Sequence, residues 1–248
     1  MGFRHIVRLA AALALVVLYG PANADEPKNP KGVVELFTSQ GCSSCPAADA
    51  VFGEIAGKGD VVALGYHVDY WDYLGWRDTL ANPENTARQK EYMRAFGSRS
   101  VYTPQAIING KTHVKGSDQA AIEAALAEND GLPVPVSVKR AGDSMVITVG
   151  ESTLNQKAHV LLVYYDPLTP ITIVEGENQG RTLYYWNPVT GIQTAGMWHG
   201  AVARFEMPVS EILKKGAGGC AVLVQAVGRD GTPGPILGAA TIPRSSSD

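Results

Sequence analysis

Apolar and polar positions alternate between two patterns in the first half of the chain. Val33–Phe37 is an apolar run rich in β-branched residues, which is typical of a strand buried on both faces. Behind it, apolar residues recur at the helical spacing i, i+3, i+4 and i+7: Ala48, Val51, Phe52 and Ile55. Gly57 and Gly59 end this predicted helix.

The same alternation continues to about Asn129. Val61–Asp69 predicts a second strand, and Asn82-Pro83-Glu84 opens a helix that reaches about Phe96. "PQAIIN" and "THVKG" predict two strands joined at Asn109-Gly110, a strong hairpin signal, and Ser117 or Asp118 caps a last helix. The predicted order is β-α-β-α-β-β-α.

The second half has a different pattern. From "GLPVPV" onward, short strand-like segments such as "SMVITV", "HVLLVYY" and "CAVLVQAV" are separated by Gly, Pro, Asn and Asp turns. Many short strands without a clear helical stripe favour a β-sandwich or barrel. We therefore expect one domain over 31–130, a β-sandwich-like domain over 133–243, and a polar tail over 244–248.

The first residues have the pattern of a secretory signal peptide. Arg4 and Arg8 precede the apolar run Leu9–Leu18, and Ala22-Asn23-Ala24 follows as a cleavage signal. The apolar run is shorter than the ~20 residues that span a bilayer, so a membrane anchor is the weaker interpretation. The sequence predicts a signal peptide over 1–24, a periplasmic or secreted protein, and no membrane span after cleavage.

Charge and composition exclude some classes of partner. The net charge is −3, and it becomes about −5 once the predicted signal peptide is removed. A mildly acidic chain lacks the basic patches of nucleic-acid-binding proteins. The apolar fraction of 45% is ordinary for a globular protein with a packed core, and three cysteines are too few for a disulfide-dense scaffold.

The candidate chemistry lies in "TSQGCSSCPAAD". Cys42 and Cys45 stand between the first predicted strand and the first predicted helix. A helix N-terminus stabilises an anion through free N–H groups and its dipole, so a Cys42 thiolate is favoured there. Pro46 is tolerated only in a first turn, which places the helix start between Cys42 and Ser44. Cys42 is then the predicted nucleophile, and Cys45 the residue that resolves a mixed disulfide.

The arrangement of strand, CxxC and helix resembles the thioredoxin-like fold. The resemblance continues at "VYTPQAII", where Thr103-Pro104 precedes the third predicted strand, and at Gly116. It implies an α/β thioredoxin-like domain, a cis Pro104 packed against the CxxC, and a Thr103 backbone that binds a client peptide. It also suggests Glu35 as a possible proton acceptor for the resolving thiol.

The whole chain also resembles a family of uncharacterised secreted bacterial proteins, in which a CxxC domain precedes a β-rich domain. "GENQGRTLYYWN" followed by "GMWHG" carries this second resemblance. It supports the architecture more than any particular chemistry.

The function that follows is an exported thiol–disulfide oxidoreductase that exchanges electrons with client thiols or disulfides. It needs no organic cofactor, but it needs a redox partner that recycles the pair. One alternative is a copper or zinc carrier that uses Cys42, Cys45 and either His67 or His113. Another is a binding protein that has lost its catalysis.

Several other residues keep two interpretations each. Cys220 is predicted to be a small buried apolar residue in a strand. The aromatic segment with Tyr70, Trp71, Tyr73 and Trp76 can rim a peptide groove or pack in the core. The polar run of Glu177, Asn178 and Arg181 can be a solvated loop or part of an active site.

Overall fold

The structure is a computed structural model that describes residues 30–128, 131–154, 156–215 and 218–243. The predicted signal peptide, the tail and part of the predicted domain boundary lie outside the described residues. None of the helices in the described ranges is long and apolar enough to cross a membrane.

The elements of the first half follow one another as four strands and three α-helices. They are β1 (Val33–Thr38), α1 (Cys45–Lys58), β2 (Val62–His67), α2 (Pro83–Ala95), β3 (Gln105–Ile108), β4 (Thr112–Lys115) and α3 (Gln119–Glu128). A short 3₁₀ turn, Asp72–Leu74, lies between β2 and α2. The local signals for these elements are confirmed. The side chain of Asn82 caps α2 by accepting from Asn85 N at 2.8 Å, and Gly59, with φ 68°, ends α1.

The second half is mainly β. Its elements are β5 (Val136–Ala141), β6 (Ser144–Val149), β7 (Ala158–Tyr165), β8 (Thr169–Thr172), β9 (Thr182–Tyr185), β10 (Val189–Trp198), β11 (Ala203–Pro208), α4 (Val209–Lys215), β12 (Gly219–Val227) and β13 (Pro233–Pro243). A 3₁₀ turn, Arg229–Gly231, precedes β13. The helix α4 was not expected from the sequence, because its seven residues are too few to show a helical stripe.

The strands form three larger sheets and one two-stranded ribbon. The first sheet has the order β2-β1-β3-β4, with β1 and β2 parallel and the other pairs antiparallel. The second sheet, β10-β7-β12-β13, and the third, β11-β6-β5, are antiparallel throughout. The ribbon pairs β8 with β9.

Side chains of β1 alternate between two different cores. Val34 and Leu36 face a core built with helices α1 and α3, whereas Val33 and Phe37 face a core shared with the second sheet. That shared core also contains residues of β2, α2, β7, β12 and β13: Leu64, Tyr66, Tyr92, Leu161, Val163, Ala221, Leu223, Ile236 and Ala239. A further core lies between the second and third sheets and includes Trp198 and Cys220.

The predicted fold class, a thioredoxin-like α/β domain followed by an all-β sandwich-like domain, is wrong. The described chain is mostly β-sheet, with thirteen strands and four α-helices among its described residues. An α/β domain covers both faces of its sheet with helices, but here one face of the first sheet packs against strands of the second half. Local periodicity indicated each element, but it could not show which surface would cover this face.

The two halves also meet at the edge of the first sheet. Gly65 N donates to Asn187 O at 3.0 Å, and Asn187 Nδ2 donates to Ala63 O at 2.9 Å. A Cβ on Gly65 would lie 3.0 Å from the Trp186 carbonyl oxygen, so glycine permits this close approach. The second half is therefore bonded to β2, the edge strand next to β1.

Candidate functional site

A disulfide joins Cys42 and Cys45 in the loop between β1 and α1, with their Cα atoms 5.4 Å apart. Cys42 N donates to Ser39 O at 3.2 Å, and Cys45 N donates to Cys42 O at 3.1 Å, so the loop forms tight turns before the helix. α1 begins at Cys45, slightly later than the sequence predicted, and Pro46 lies in its first turn. Both residues are buried, Cys42 with 3% of its surface exposed and Cys45 with 0%.

Thr103 lies against this disulfide, and Pro104 follows it directly before β3. The peptide bond between them is cis, and the Thr103 hydroxyl donates to the Cys42 Sγ at 3.3 Å. The Ser44 hydroxyl lies 3.4 Å from the same sulfur. A Cβ on Gly116 would lie 3.2 Å from Pro104 Cβ and 2.6 Å from Leu36 Cδ1, so a larger residue beside the proline would be crowded. The structure thus brings together four of the predicted site residues.

An indole ring orients the Thr103 hydroxyl. Trp71 Nε1 donates to Thr103 Oγ1 at 2.8 Å. Because the indole N–H is only a donor, it occupies a lone pair of Oγ1 and leaves the hydroxyl proton for another acceptor. The hydroxyl donates that proton to the Cys42 sulfur. Trp71 therefore belongs to the site. The sequence had left open whether this residue lines a groove or packs in the core.

The other aromatic residues of this segment lie partly on the surface and partly in contact with the loop that carries the cysteines. Tyr73 is 76% exposed and stacks on Trp71, with ring centroids 6.4 Å apart. Trp76 Nε1 instead donates inward to Gln40 Oε1 at 2.8 Å, in the loop that carries the cysteines. The segment thus both rims the disulfide and packs against its loop.

The structure does not bring Glu35 to the disulfide. Its side chain projects from the face of β1 that does not pack on α1, because successive side chains of a strand point to opposite faces. Arg88 Nε donates to Glu35 Oε1 at 2.7 Å, and the Tyr92 hydroxyl donates to Oε2. Arg88 also donates to Gln225 Oε1 at 3.0 Å, which links α2 to β12 of the second half. Glu35 is thus part of a buried ionic network between the two halves.

Asp49 is the buried carboxyl group that the sequence analysis missed. It lies four residues after Cys45 on α1, and both are buried on the side of the helix that packs on β1. Thr38 Oγ1 donates to Asp49 Oδ1 at 2.7 Å, whereas Oδ2 has no hydrogen-bond partner within the described ranges. Burial raises the pKa of Asp49 from 3.8 to about 7, although nearby His67 opposes the shift. An aspartate inside an apolar helix stripe was the available signal.

A third buried carboxyl group, that of Asp78, holds the loop before the cysteines. Asp78 Oδ2 lies 2.8 Å from His67 Nδ1 and accepts from Gln40 N at 2.8 Å. Burial lowers the pKa of His67, but Asp78 outweighs it and the net shift is upward. Burial likewise raises the pKa of Asp78, and His67 outweighs it, so the net shift is downward. The pair therefore favours an ionised Asp78 beside a protonated His67.

The histidines considered as metal ligands have other partners. His67 pairs with Asp78, and its ring packs edge-on against Tyr185 at 4.5 Å. His113 Nδ1 lies 2.9 Å from the Tyr102 hydroxyl. Within residues 30–128, 131–154, 156–215 and 218–243, no group of three or more His, Cys, Asp or Glu side chains is placed to hold a metal ion.

The loop between β8 and β9 brings the second half to the cysteines. Asn178 Nδ2 donates to Gln40 O at 2.9 Å and to Cys42 O at 3.0 Å. Glu177 Oε2 accepts from Ser43 N at 3.3 Å. The polar run from Glu177 to Arg181 is therefore part of the site and not only a solvated loop.

Cys220 lies away from this site, in the core between the second and third sheets. It is fully buried on β12 and forms no disulfide. Burial raises the pKa of its thiol to about 12. The prediction of a small buried apolar residue is confirmed.

These features define a predominantly β protein with a CxxC disulfide in a loop that both halves of the chain hold. Residues 33–225 match a family model described as "Protein of unknown function (DUF1223)". The chain belongs to the DUF1223 family. This confirms the expected membership of an uncharacterised family, and no curated protein matches the chain.

Two solved structures are similar to this chain. A crystal structure of an Agrobacterium tumefaciens protein is 46% identical, with a TM-score of 0.80, over 90% of this chain and 98% of that chain. HBP35 of Porphyromonas gingivalis is 14% identical, with a TM-score of 0.57, over 90% of this chain and 77% of that chain. At this identity the second similarity concerns the fold alone.

Proposed function

We propose that this protein is an exported thiol–disulfide oxidoreductase that exchanges electrons between its Cys42–Cys45 pair and client proteins. The observation that carries the proposal is the hydrogen bond from the Thr103 hydroxyl to the Cys42 sulfur, in a CxxC disulfide at the start of a helix. The export rests on the signal-peptide pattern of residues 1–24.

The exchange balances within the two cysteines and a client dithiol. A client thiolate attacks Cys42 Sγ, a client–Cys42 bond forms, and the Cys42–Cys45 bond breaks with Cys45 leaving as a thiolate. A second client thiolate then attacks the client sulfur of this mixed disulfide and releases the Cys42 thiolate. The client loses two electrons, and the protein gains them as a dithiol. Client reduction is the same sequence reversed, and a thiol–disulfide protein of the same compartment recycles the pair.

The hydroxyls around Cys42 favour its role as attacking and leaving group. A free thiol has a pKa of about 8.5, and hydrogen bonds to the thiolate lower it. The Thr103 hydroxyl donates to Cys42 Sγ, and the Ser44 hydroxyl lies 3.4 Å away and can do the same. Cys45 is fully buried at the first residue of α1, which suits it to resolve the mixed disulfide from inside.

In this proposal Asp49 carries the proton of the buried thiol. As Cys45 leaves, a protonated Asp49 gives it a proton; in the reverse direction the Asp49 carboxylate accepts the Cys45 proton. The support is its place one helical turn beyond Cys45, its burial, and an oxygen without a hydrogen-bond partner among the described residues. A pKa near neutrality suits a group that both gives and takes a proton.

The test is capture of clients through a mixed disulfide. A Cys45→Ser variant should hold exported clients in bonds that dithiothreitol releases, whereas a Cys42→Ser variant should hold none. Cys220→Ser is the matched control, because that thiol is buried and far from the exchange. Equal capture by the Cys42→Ser variant would contradict the proposal.

Metal analysis of the reduced protein distinguishes a metal carrier from an oxidoreductase. Stoichiometric copper or zinc that disappears in the Cys42→Ser variant would favour a metal carrier. Client capture without stoichiometric metal supports the oxidoreductase.

A further inference from the structure

The loop between β8 and β9 contacts the backbone of the nucleophilic cysteine from the second half of the chain. Asn178 is 1% exposed, and its Nδ2 donates both to Gln40 O and to Cys42 O. Arg181 Nη1 donates to Asn178 Oδ1 at 3.2 Å. Because a guanidinium only donates, this contact fixes the orientation of the amide and points its N–H groups at the two carbonyls.

The loop itself is held firmly against the first half. Gly176 has a φ of 77°, and a Cβ there would lie 3.0 Å from Trp76 Cβ. Gly180 N donates to Ile173 O at 2.8 Å, and Ile173 is fully buried. The position of Asn178 is thus set by packing and backbone bonds on both sides of it.

The bonded carbonyls belong to the turn that aims the Cys42 sulfur. The Cys42 carbonyl also accepts from Cys45 N, so Asn178 and the helix start share one acceptor. The Cys42 side chain in turn places its sulfur against the Thr103 hydroxyl. Movement of this turn would lengthen the bond that stabilises the thiolate.

We propose that Asn178 is a positioning residue for thiol–disulfide exchange, through which the β-rich half holds the Cys42 thiolate against Thr103. The inference rests on the proposed function and adds a task for the second half. Asn178 does not touch the reacting atoms, and it acts through the Cys42 carbonyl.

The experiment is a titration of the Cys42 thiolate by its ultraviolet absorbance, in full-length protein with Cys45→Ser and Cys220→Ser. We expect Asn178→Ala to raise the pKa of Cys42 by roughly half a unit, which is about a threefold change in its ionisation constant. In the protein with all three cysteines, at a pH above the Cys42 pKa of both proteins, the equilibrium with glutathione should shift by up to about the same factor toward the Cys42–Cys45 disulfide, because the reduced thiolate has lost stabilisation.

Asn187→Asp is the control for loss of contact between the halves. Asn187 also donates from the second half to a backbone carbonyl, that of Ala63, and its φ of 45° is one that aspartate tolerates. Asn178→Ala and Asn187→Asp should both lower the stability, but only Asn178→Ala should raise the pKa of Cys42.

An unchanged Cys42 titration in Asn178→Ala would overturn the inference. If that variant does not fold, Arg181→Lys decides, because lysine keeps the positive charge near Asp49 but lacks the planar guanidinium that orients the amide. A smaller shift in the same direction supports the proposal, and no shift overturns it. The titration requires no client, so a wild-type protein that fails to exchange with dithiols would refute the proposed function separately.

Discussion

Replacement of Asp49 by asparagine should abolish a large part of the pH dependence of stability. The pKa of Asp49 is raised by burial from 3.8 to about 7 in the folded protein. Since the folded state holds this proton more tightly than the unfolded state, the free energy of unfolding falls as pH rises between these two values. A difference of about 3 pKa units at 1.36 kcal/mol per unit amounts to roughly 4 kcal/mol.

The pKa shifts of His67 and Asp78 also make the stability depend on pH, and their directions help to separate them from the effect of Asp49. The pKa of His67 is also raised, so its contribution is present at low pH and is lost as pH rises through the folded-state value. The pKa of Asp78 is lowered, so its contribution is lost on the acid side instead. Both remain in the Asp49→Asn variant, so comparison with the wild type removes them except for the coupling between Asp49 and His67, since the Asp49 charge also raises the pKa of His67.

The assay is urea unfolding of the oxidised protein from pH 4 to pH 8. The wild type should lose about 4 kcal/mol more than Asp49→Asn over this range. Asp60→Asn is the control, since Asp60 makes a surface ion pair with Lys31 and its variant should keep the wild-type slope. A wild-type slope in Asp49→Asn would refute the assignment of a neutral buried carboxyl group.

Three further predictions concern other contacts of the site and its supporting network. Thr103→Val should raise the pKa of Cys42 by about one unit through loss of the donated hydrogen bond, whereas Thr103→Ser should titrate as wild type; equal titrations would contradict this. Gly116→Ala should lower the free energy of unfolding by ~1–3 kcal/mol because its Cβ meets Leu36, measured against Gly57→Ala, which meets nothing; equal stabilities would refute the tight fit. Glu35→Gln should cost ~3–5 kcal/mol because it leaves the charge of Arg88 buried and unpaired, and Arg88→Met in the same protein should recover part of the loss in urea unfolding; no recovery would argue against the pair.

Local sequence signals predicted most elements of the first half. The Asn109-Gly110 pair forms the predicted hairpin, and both residues have positive φ values of 51° and 61°. Pro83 and Asn82 begin α2 as expected, and Gly59 ends α1. These features depend on a few residues that are neighbours along the chain, so the sequence is enough to predict them.

The wrong fold class and the placement of Glu35 have a common cause. Periodicity showed that both faces of β1 are buried, but not that strands of the second half bury one of them. Glu35 was assigned to the disulfide by the resemblance to thioredoxin-like proteins, whereas the pleat of the strand turns it toward Arg88. An error of one position in a strand moves a side chain to the other face.

Sequence alone determined the local elements and the CxxC at the end of a strand, whereas the Thr103-Pro104 pair was expected beside it from a resemblance. Only the tertiary structure decided the sheet-on-sheet core, the place of Asp49, and the contact of Asn178 with Cys42, which are 136 residues apart. The physical reason is the separation along the chain of the residues that interact. Turns, caps and strand patterns arise from neighbours along the chain, whereas these contacts depend on how whole surfaces pack once the elements exist.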